Sequence, residues 1–407
     1  MSTPVQLNDR QVCIVGYART PVGSFLGDLS EFSATDLGAH AIKESIRQSK
    51  ISPSHVKGIY MGNTVSAGVG QGPARIAALK AGLPSSVHCC TVNKVCSSGM
   101  KAIILGAQEI LLGLKDCVVC GGMESMSQAP RLNVTSRTGS RLGTIMEVDS
   151  LLSDGLTDAS SQRHMGDIAE NYAKDLNITR EDQDAFALES FQRAINARNS
   201  GYLKNEIVGI EKENKKKKTT QIIEKDEQLD KFNEEKMKRL PPCFLKDGTI
   251  TAANASALND GAAALVLVSR KLATELSLKV IATIEGFDEH SEDPLKYGIA
   301  PVGAVEKVLK KAGWLMDDVD MFEINESFSV IALAIMKLLK LSPSKVNVLG
   351  GAVAFGHPIG ASGARIVCTL LNALTVKGKE KGCAALCNGG GEGCAILVRR
   401  ISDESSS

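Results

Sequence analysis

Aromatic residues make up only 4% of the 407-residue chain, with a single Trp. So few rings disfavour a platform on which nucleic-acid bases stack. Charge of one sign is also missing: Lys+Arg number 47 and Asp+Glu 46, for a formal net charge of +1. No global field recruits nucleic acid or a membrane surface. The apolar stretch FSVIALAIMKLLKL (328–341) carries lysines and is too short to span a bilayer. The first residues, MSTPVQLNDR, have neither a hydrophobic core segment nor an Arg-rich amphipathic presequence. The closing SDESSS matches no retention or peroxisomal signal. A cytoplasmic protein is expected, or a mitochondrial one whose presequence has been removed. Cys117 and Cys120 form a lone CxxC with no matching second pair, since Cys383 and Cys387 are spaced differently. No metal site is therefore expected.

What the chain does have is 38 glycines and 11 cysteines. The cysteines are scattered and odd in number, which suits reduced thiols rather than a disulfide framework. Short Val/Ile/Ala-rich runs (QVCIVGYA, GIYMG, DCVVCGG, AALVLVS, MFEIN, CAALCNGG) alternate with helical patterns, the signature of an α/β fold. Helices are predicted over 34–49, 98–113, 180–200, 301–313, 328–339 and 361–374, the third capped by Thr179 or Asn177. Two stretches resemble each other: SSGMKAI (97–103) and ASGARIV (361–367). Each opens a helix that leads to a strand and a glycine-rich turn. That repetition predicts duplicated halves. It places Cys96 and Gly360–Ser362 at equivalent strand-to-helix turns, where backbone amides favour an anion. Residues 129–250 are more polar and read as an insertion. KENKKKK (212–218) is its densest charge block, either a solvated loop or an attraction for a phosphate-bearing ligand. The expected organisation is an N-terminal half over 1–128 completed by 251–280, a loop domain over 129–250, and a C-terminal half over 281–407.

Three residues in glycine-rich settings carry the chemistry. Cys96 in NKVCSSGMKA sits at a helix start, where the dipole favours a nucleophilic thiolate; its alternative is a small core residue. His357 in GAVAFGHPIGASGAR suits a base or oxyanion donor, or else a loop histidine bonded to its surroundings. Cys387 precedes NGGGEG, a loop whose amides can face an enolate or thioester oxygen. Asn325 in EINESFS either caps a helix or holds a water that donates to an oxyanion. His164 in RHMGDIAEN is a weaker candidate that lines a pocket.

Together NKVCSSGMKA, GGMESMS, HMGDIAEN, TAANASALNDGAAALVLVS, NESFS, GHPIGASGARI and CNGGGEG resemble the thiolase family, in order from about Val12 to Val398. The pieces SGMKAI, DGLTD, LNDGAAALVLV and CNGGG favour its acetoacetyl-CoA (acetyl-CoA acetyltransferase) branch over long-chain 3-ketoacyl-CoA thiolases. The resemblance implies two similar α/β halves in five layers with an inserted loop domain over the CoA site, and a homodimer or homotetramer. It implies that Cys96 becomes acetylated with His357 as base, and that Cys387 exchanges the α-proton of a second acetyl-CoA. One oxyanion pocket would comprise His357 and a water held by Asn325; the other, the amides of Cys96 and Gly389. Ser256 would touch the pantetheine, with His164 and Met165 lining the pocket. Coenzyme A enters as substrate and product, and no covalent cofactor is implied. Leu229 stands where potassium-activated relatives carry a tyrosine, so no potassium site is expected. Leu349, Phe355, Ser327 and Glu392 depart from the family pattern and are expected to alter pocket shape or reactivity.

Overall fold

The computed structural model describes residues 7–214 and 219–402. The Lys215–Lys218 run lies outside them, as do the first six and last five residues. Nine strands form most of one ten-stranded sheet: β1 (Val12–Arg19), β2 (Gly58–Gly62), β3 (His88–Val92), β4 (Cys117–Ser125), β5 (Asn259–Ser269), β6 (Ala282–Ser291), β7 (Met321–Ile324), β8 (Lys381–Asn388) and β9 (Glu392–Arg400). The tenth is the Gly23–Ser24 pair, which joins β5. The order across the sheet is β7-β8-β9-β6-β1-β5-β4-β2-β3. β5 is buried along all eleven residues, and its run GAAALVLV fits a strand covered on both faces.

The order reads as one pattern used twice. β2 and β4 pair in parallel, then β4–β5 and β5–β1 antiparallel. β7 and β8 pair in parallel, then β8–β9 and β9–β6 antiparallel. Even the bulges repeat: β1 slips between Ile14 and Gly16 against β5, and β6 between Ile284 and Gly286 against β9. The halves join where Cys13 and Ile14 pair with Thr283 and Ala282. The strands of the two halves are thus hydrogen-bonded into one continuous sheet.

Helices make the other layers. α1 (Ala34–Ser49) and α2 (Pro73–Lys80) cover the outer face of the first half; α6 (Ala300–Ala312) and α7 (Ser329–Leu338) cover that of the second. Between the halves lie α3 (Ser98–Leu111) and α8 (Ile359–Val376), the helices that follow the repeated motif. They meet at its glycines. A Cβ on Gly99 would sit 2.8 Å from the backbone N of Ala364, and one on Gly363 would run into the backbone N of Met100. Each glycine costs roughly 1 kcal/mol of helix propensity. Close approach of the two backbones requires it. α8 is long and apolar enough to cross a membrane by length and composition, yet 89% of it is buried inside the protein. Its apolarity comes from lying between two layers of sheet.

The segment between the halves contains α4 (Met165–Asp175) and α5 (Arg180–Asn199). Thr179 caps α5 in a full capping box with Asp182. α4 has an unusual cap: His164 Nδ1 accepts from the Gly166 N–H at 3.0 Å.

Candidate active site

A cavity of about 470 Å³ opens where the inserted segment meets both halves. Its wall includes Cys96, His357, Cys387 and Gly389, with His164, Met165 and Ser256. The rest is largely apolar: Met126, Leu152, Leu156, Phe244, Leu258 and Phe328 among others. Residues some 290 apart in the chain thus meet because α3 begins after β3, α8 begins nearby, and β8 ends at the same place.

Cys96 stands one residue before the Ser97 N-cap of α3. It is delivered by Val95 at φ +46, a left-handed conformation that costs a β-branched residue about 1–3 kcal/mol. Neighbours hold that turn. Val95 N donates to Asn93 Oδ1 (3.0 Å), while Ser98 Oγ (2.6 Å) and Thr64 Oγ1 (3.1 Å) donate to Val95 O. The apolar surroundings push the Cys96 thiol far above the ordinary cysteine range, and the nearby Cys387 sulfur adds to the shift. Against this, the backbone N–H groups of Gly389 and of Cys96 itself face the Cys96 sulfur and favour its thiolate. The same two donors can hold an oxyanion formed beside that sulfur.

His357 follows Gly356, whose φ of +112 and contact with Asn259 leave no room for a side chain. The His357 N–H donates to Asn259 Oδ1 at 2.9 Å. Its Nδ1 lies 2.5 Å from Ser362 Oγ. That hydroxyl gives its own proton to Pro358 O at 2.9 Å, so it accepts from Nδ1–H. Nε2 is then the unprotonated nitrogen, and it has no partner. Burial, reinforced by the Arg365 charge, lowers the imidazole to about 3. His357 is therefore a neutral base at physiological pH.

Cys387 is the penultimate residue of β8, with its thiol pushed up to about 11 by burial. Its sulfur lies 3.7 Å from Ser327 Oγ. Ser327 O in turn accepts from Ser256 N (3.0 Å) and Ser256 Oγ (2.8 Å). Asn325 is 1% exposed and stands behind the lining rather than in it; both its amide atoms lack a protein partner. A buried amide with an unpaired donor and acceptor is a seat for water. His164 both stacks on Phe244 (ring centroids 4.9 Å apart) and caps α4, while burial lowers its pKa.

Two departures from the family pattern lie elsewhere than expected. Leu349 is packed in the main core. Phe355 is fully buried between the guanidinium groups of Arg19 and Arg365, at 5.4 and 5.9 Å. Neither lines the cavity, so neither sets its shape directly. Glu392 pairs with Lys94 at 2.8 Å and touches Asn388, tying the turn that carries Cys96 to the loop that carries Gly389. Ser327 alone of the four lines the cavity.

One residue of the site escaped the sequence reading. Glu124, fully buried, accepts from Asn63 Nδ2 (2.6 Å), Thr64 N (3.0 Å), Val65 N (3.3 Å) and Gly360 N (2.8 Å). It clamps the first half to the start of α8; burial raises its carboxyl to about 7 despite those bonds. A carboxylate ending the apolar run CVVCGGME was the available signal. Among the described residues, no group of three or more His, Cys, Asp or Glu side chains is placed to hold a metal.

Two thiols, a neutral imidazole and paired backbone donors in one apolar cavity make a site for covalent acyl transfer. The comparisons agree with that chemistry. Residues 12–271 match the thiolase N-terminal domain and 278–400 the thiolase C-terminal domain. Acetyl-CoA acetyltransferase 1 of Arabidopsis thaliana is 47% identical over 409 residues, covering 100% of this chain and 99% of its own. Acetyl-CoA acetyltransferase IB of Candida tropicalis is 48% identical over 97% of this chain and 98% of its own. Among solved structures, the Acat5 thiolase from Ascaris suum in complex with coenzyme A superposes with a TM-score of 0.91 at 44% identity, covering 96% of this chain and 100% of that one. The acetyl-CoA acetyltransferase of Bacillus anthracis gives 0.94 at 38% identity, over 97% and 100%. The chain belongs to the thiolase family.

Proposed function

We infer that this protein is an acetoacetyl-CoA thiolase, an acyltransferase that reversibly condenses two acetyl-CoA into acetoacetyl-CoA and CoA. The observation that carries the reading is the meeting of Cys96, His357 and Cys387 in one cavity, with the Gly389 and Cys96 amides on the nucleophilic sulfur. Relatives named acetyl-CoA acetyltransferases, similar along nearly their whole length, support the acetyl-CoA substrate.

In this reading His357 Nε2 takes the Cys96 proton, and the thiolate attacks the thioester carbonyl of acetyl-CoA. The bond from the acetyl carbon to the CoA sulfur breaks, His357 returns the proton to that sulfur, and CoA leaves. The Gly389 and Cys96 amides hold the tetrahedral oxyanion. A second acetyl-CoA then loses its α-proton to the Cys387 thiolate, while its carbonyl oxygen is held by a water on Asn325, joined by His357 only when Nε2 carries a proton. The carbanion attacks the acetyl group, a carbon–carbon bond forms, and Cys96 departs as thiolate; the proton gained by Cys387 balances it. Thiolysis is the reverse. Met165, His164 and Ser256 belong to the wall along which the pantetheine arm would lie.

The reading extends to a homodimer or homotetramer in the cytoplasm; all eleven cysteines are free, as suits a reducing compartment. Sedimentation and cell fractionation test those two points. For the activity, thiolysis of acetoacetyl-CoA is compared with that of a long-chain 3-ketoacyl-CoA. Fast C4 turnover with little on the long chain supports the reading; comparable rates move the protein to the degradative branch. Cys96→Ala should abolish acetyl-enzyme seen by intact mass, whereas Cys387→Ala should still acetylate yet fail to condense.

A further inference from the structure

We propose that Ser327 is a further catalytic residue: its hydroxyl donates to the Cys387 thiolate and sets how readily that sulfur takes and returns the substrate's α-proton. The inference rests on Cys387 being the proton carrier at carbon. Three observations lead to it.

First, Ser327 lines the cavity and its Oγ is 3.7 Å from Cys387 Sγ, within reach of a hydrogen bond to sulfur. Second, it is the one side chain that lowers the Cys387 thiol; the other lowering contribution comes from the Cys387 backbone N–H, and no cation contributes. A thiolate in apolar surroundings without a cation depends on the donors that remain. Third, the hydroxyl is aimed by the backbone. Ser327 O receives two bonds from Ser256, and the next residue, Phe328, bridges to Ala255. On the same loop the backbone N–H of Asn325 donates to Ala385 O at 3.0 Å, which fixes the loop from the other side.

A hydroxyl fits a sulfur that alternates between two states. When Cys387 is a thiolate, Ser327 O–H donates to it. When Cys387 has taken the α-proton, its S–H can donate to Ser327 Oγ in return. An alanine at 327 would leave the thiolate with the backbone donor alone, and Cys96 would keep both of its own donors.

The test is the rate of iodoacetamide alkylation at each cysteine, resolved by peptide mass spectrometry across pH, on the full chain with Ser327→Ala and Ser327→Thr. Alkylation reports thiolate, so raising the Cys387 pKa by one slows it about tenfold at a fixed pH below that pKa. Ser327→Ala is expected to slow Cys387 alkylation by several-fold to about tenfold and to move the rising, acid-side limb of the condensation pH profile to higher pH, with Cys96 alkylation in the same samples as the internal reference. Ser327→Thr, which keeps the hydroxyl, should restore most of the rate. Unchanged Cys387 alkylation in Ser327→Ala overturns the proposal, whatever happens to turnover. A Cys387→Ala enzyme that still condenses is a separate result: it removes the proton-carrier reading itself.

Discussion

α3 and α8 are the same helix used twice, and they do opposite things. α3 follows the strand-to-helix turn expected of it, whereas α8 follows the short helix Ala352–Phe355 instead of a strand; both carry Ser-Gly near the start, and they cross at Gly99 and Gly363. One turn carries Cys96, the nucleophile of the proposed reaction; the other carries His357, its proposed base. The backbone devices differ to match. Cys96 is reached through a β-branched residue forced to φ +46, while His357 is reached through a glycine at φ +112. Neither helix has a side-chain cap from its own N-cap residue, whereas α1 and α5, remote from the cavity, each carry a full capping box. For α8 a terminal N–H is satisfied by Glu124 from the other half. Two similar helix starts thus carry a thiol at one and an imidazole at the other.

The sharpest way to break the comparison is at the reactive side chains. His357→Asn should slow Cys96 acetylation by about 10²–10⁴-fold, the usual contribution of a positioned base, with the far-UV circular dichroism unchanged. Rapid-quench detection of acetyl-enzyme checks it; retention of most of the rate would mean that another group takes the thiol proton.

The crossing comes next. Gly363→Val forces side-chain atoms into the Met100 backbone and should cost about 1–3 kcal/mol or more, read as a lower urea midpoint. An unchanged midpoint would mean the two helices can separate freely.

A smaller effect lies in pH. The His357 pKa is about 3 in the native protein against 6.5 unfolded. Between those values the unfolded chain binds a proton that the native site refuses, so stability rises with pH across that window and is fully present above it. Unfolding midpoints measured from acid to neutral pH should rise less steeply in His357→Asn. Glu124, raised to about 7, works the other way from its usual range up to neutrality, since its native form holds a proton the unfolded chain has lost. The smallest effect is at α5, where Thr179→Ala should cost about 1 kcal/mol of stability and leave turnover untouched.

Some of this was legible residue by residue. The helices over 34–49 and 180–199 follow their caps and apolar spacing, and the repeated SGMKAI and SGARIV pattern announced the duplication. β3, β6 and β9 were missed. HCCTV is a short edge strand; ATIEGFDEHS is half-buried and polar; EGCAILVRR hides behind a triple glycine that reads as loop. α4 was missed because its cap is a histidine, outside the usual set of capping residues.

The sequence by itself determined the reactive atoms and their immediate backbone: a thiol before a helix, a histidine between glycine and proline, and a second thiol before three glycines. These are local choices, governed by φ/ψ limits and hydrogen bonds between near neighbours. Only the tertiary structure decided which groups meet and in what state. The gathering of Cys96, His357 and Cys387, the Glu124 clamp, the placement of Phe355 in the core and of Ser327 against Cys387 all depend on contacts between elements distant in the chain. So does the neutrality of His357, because the desolvation that removes its proton exists only once the halves close around it.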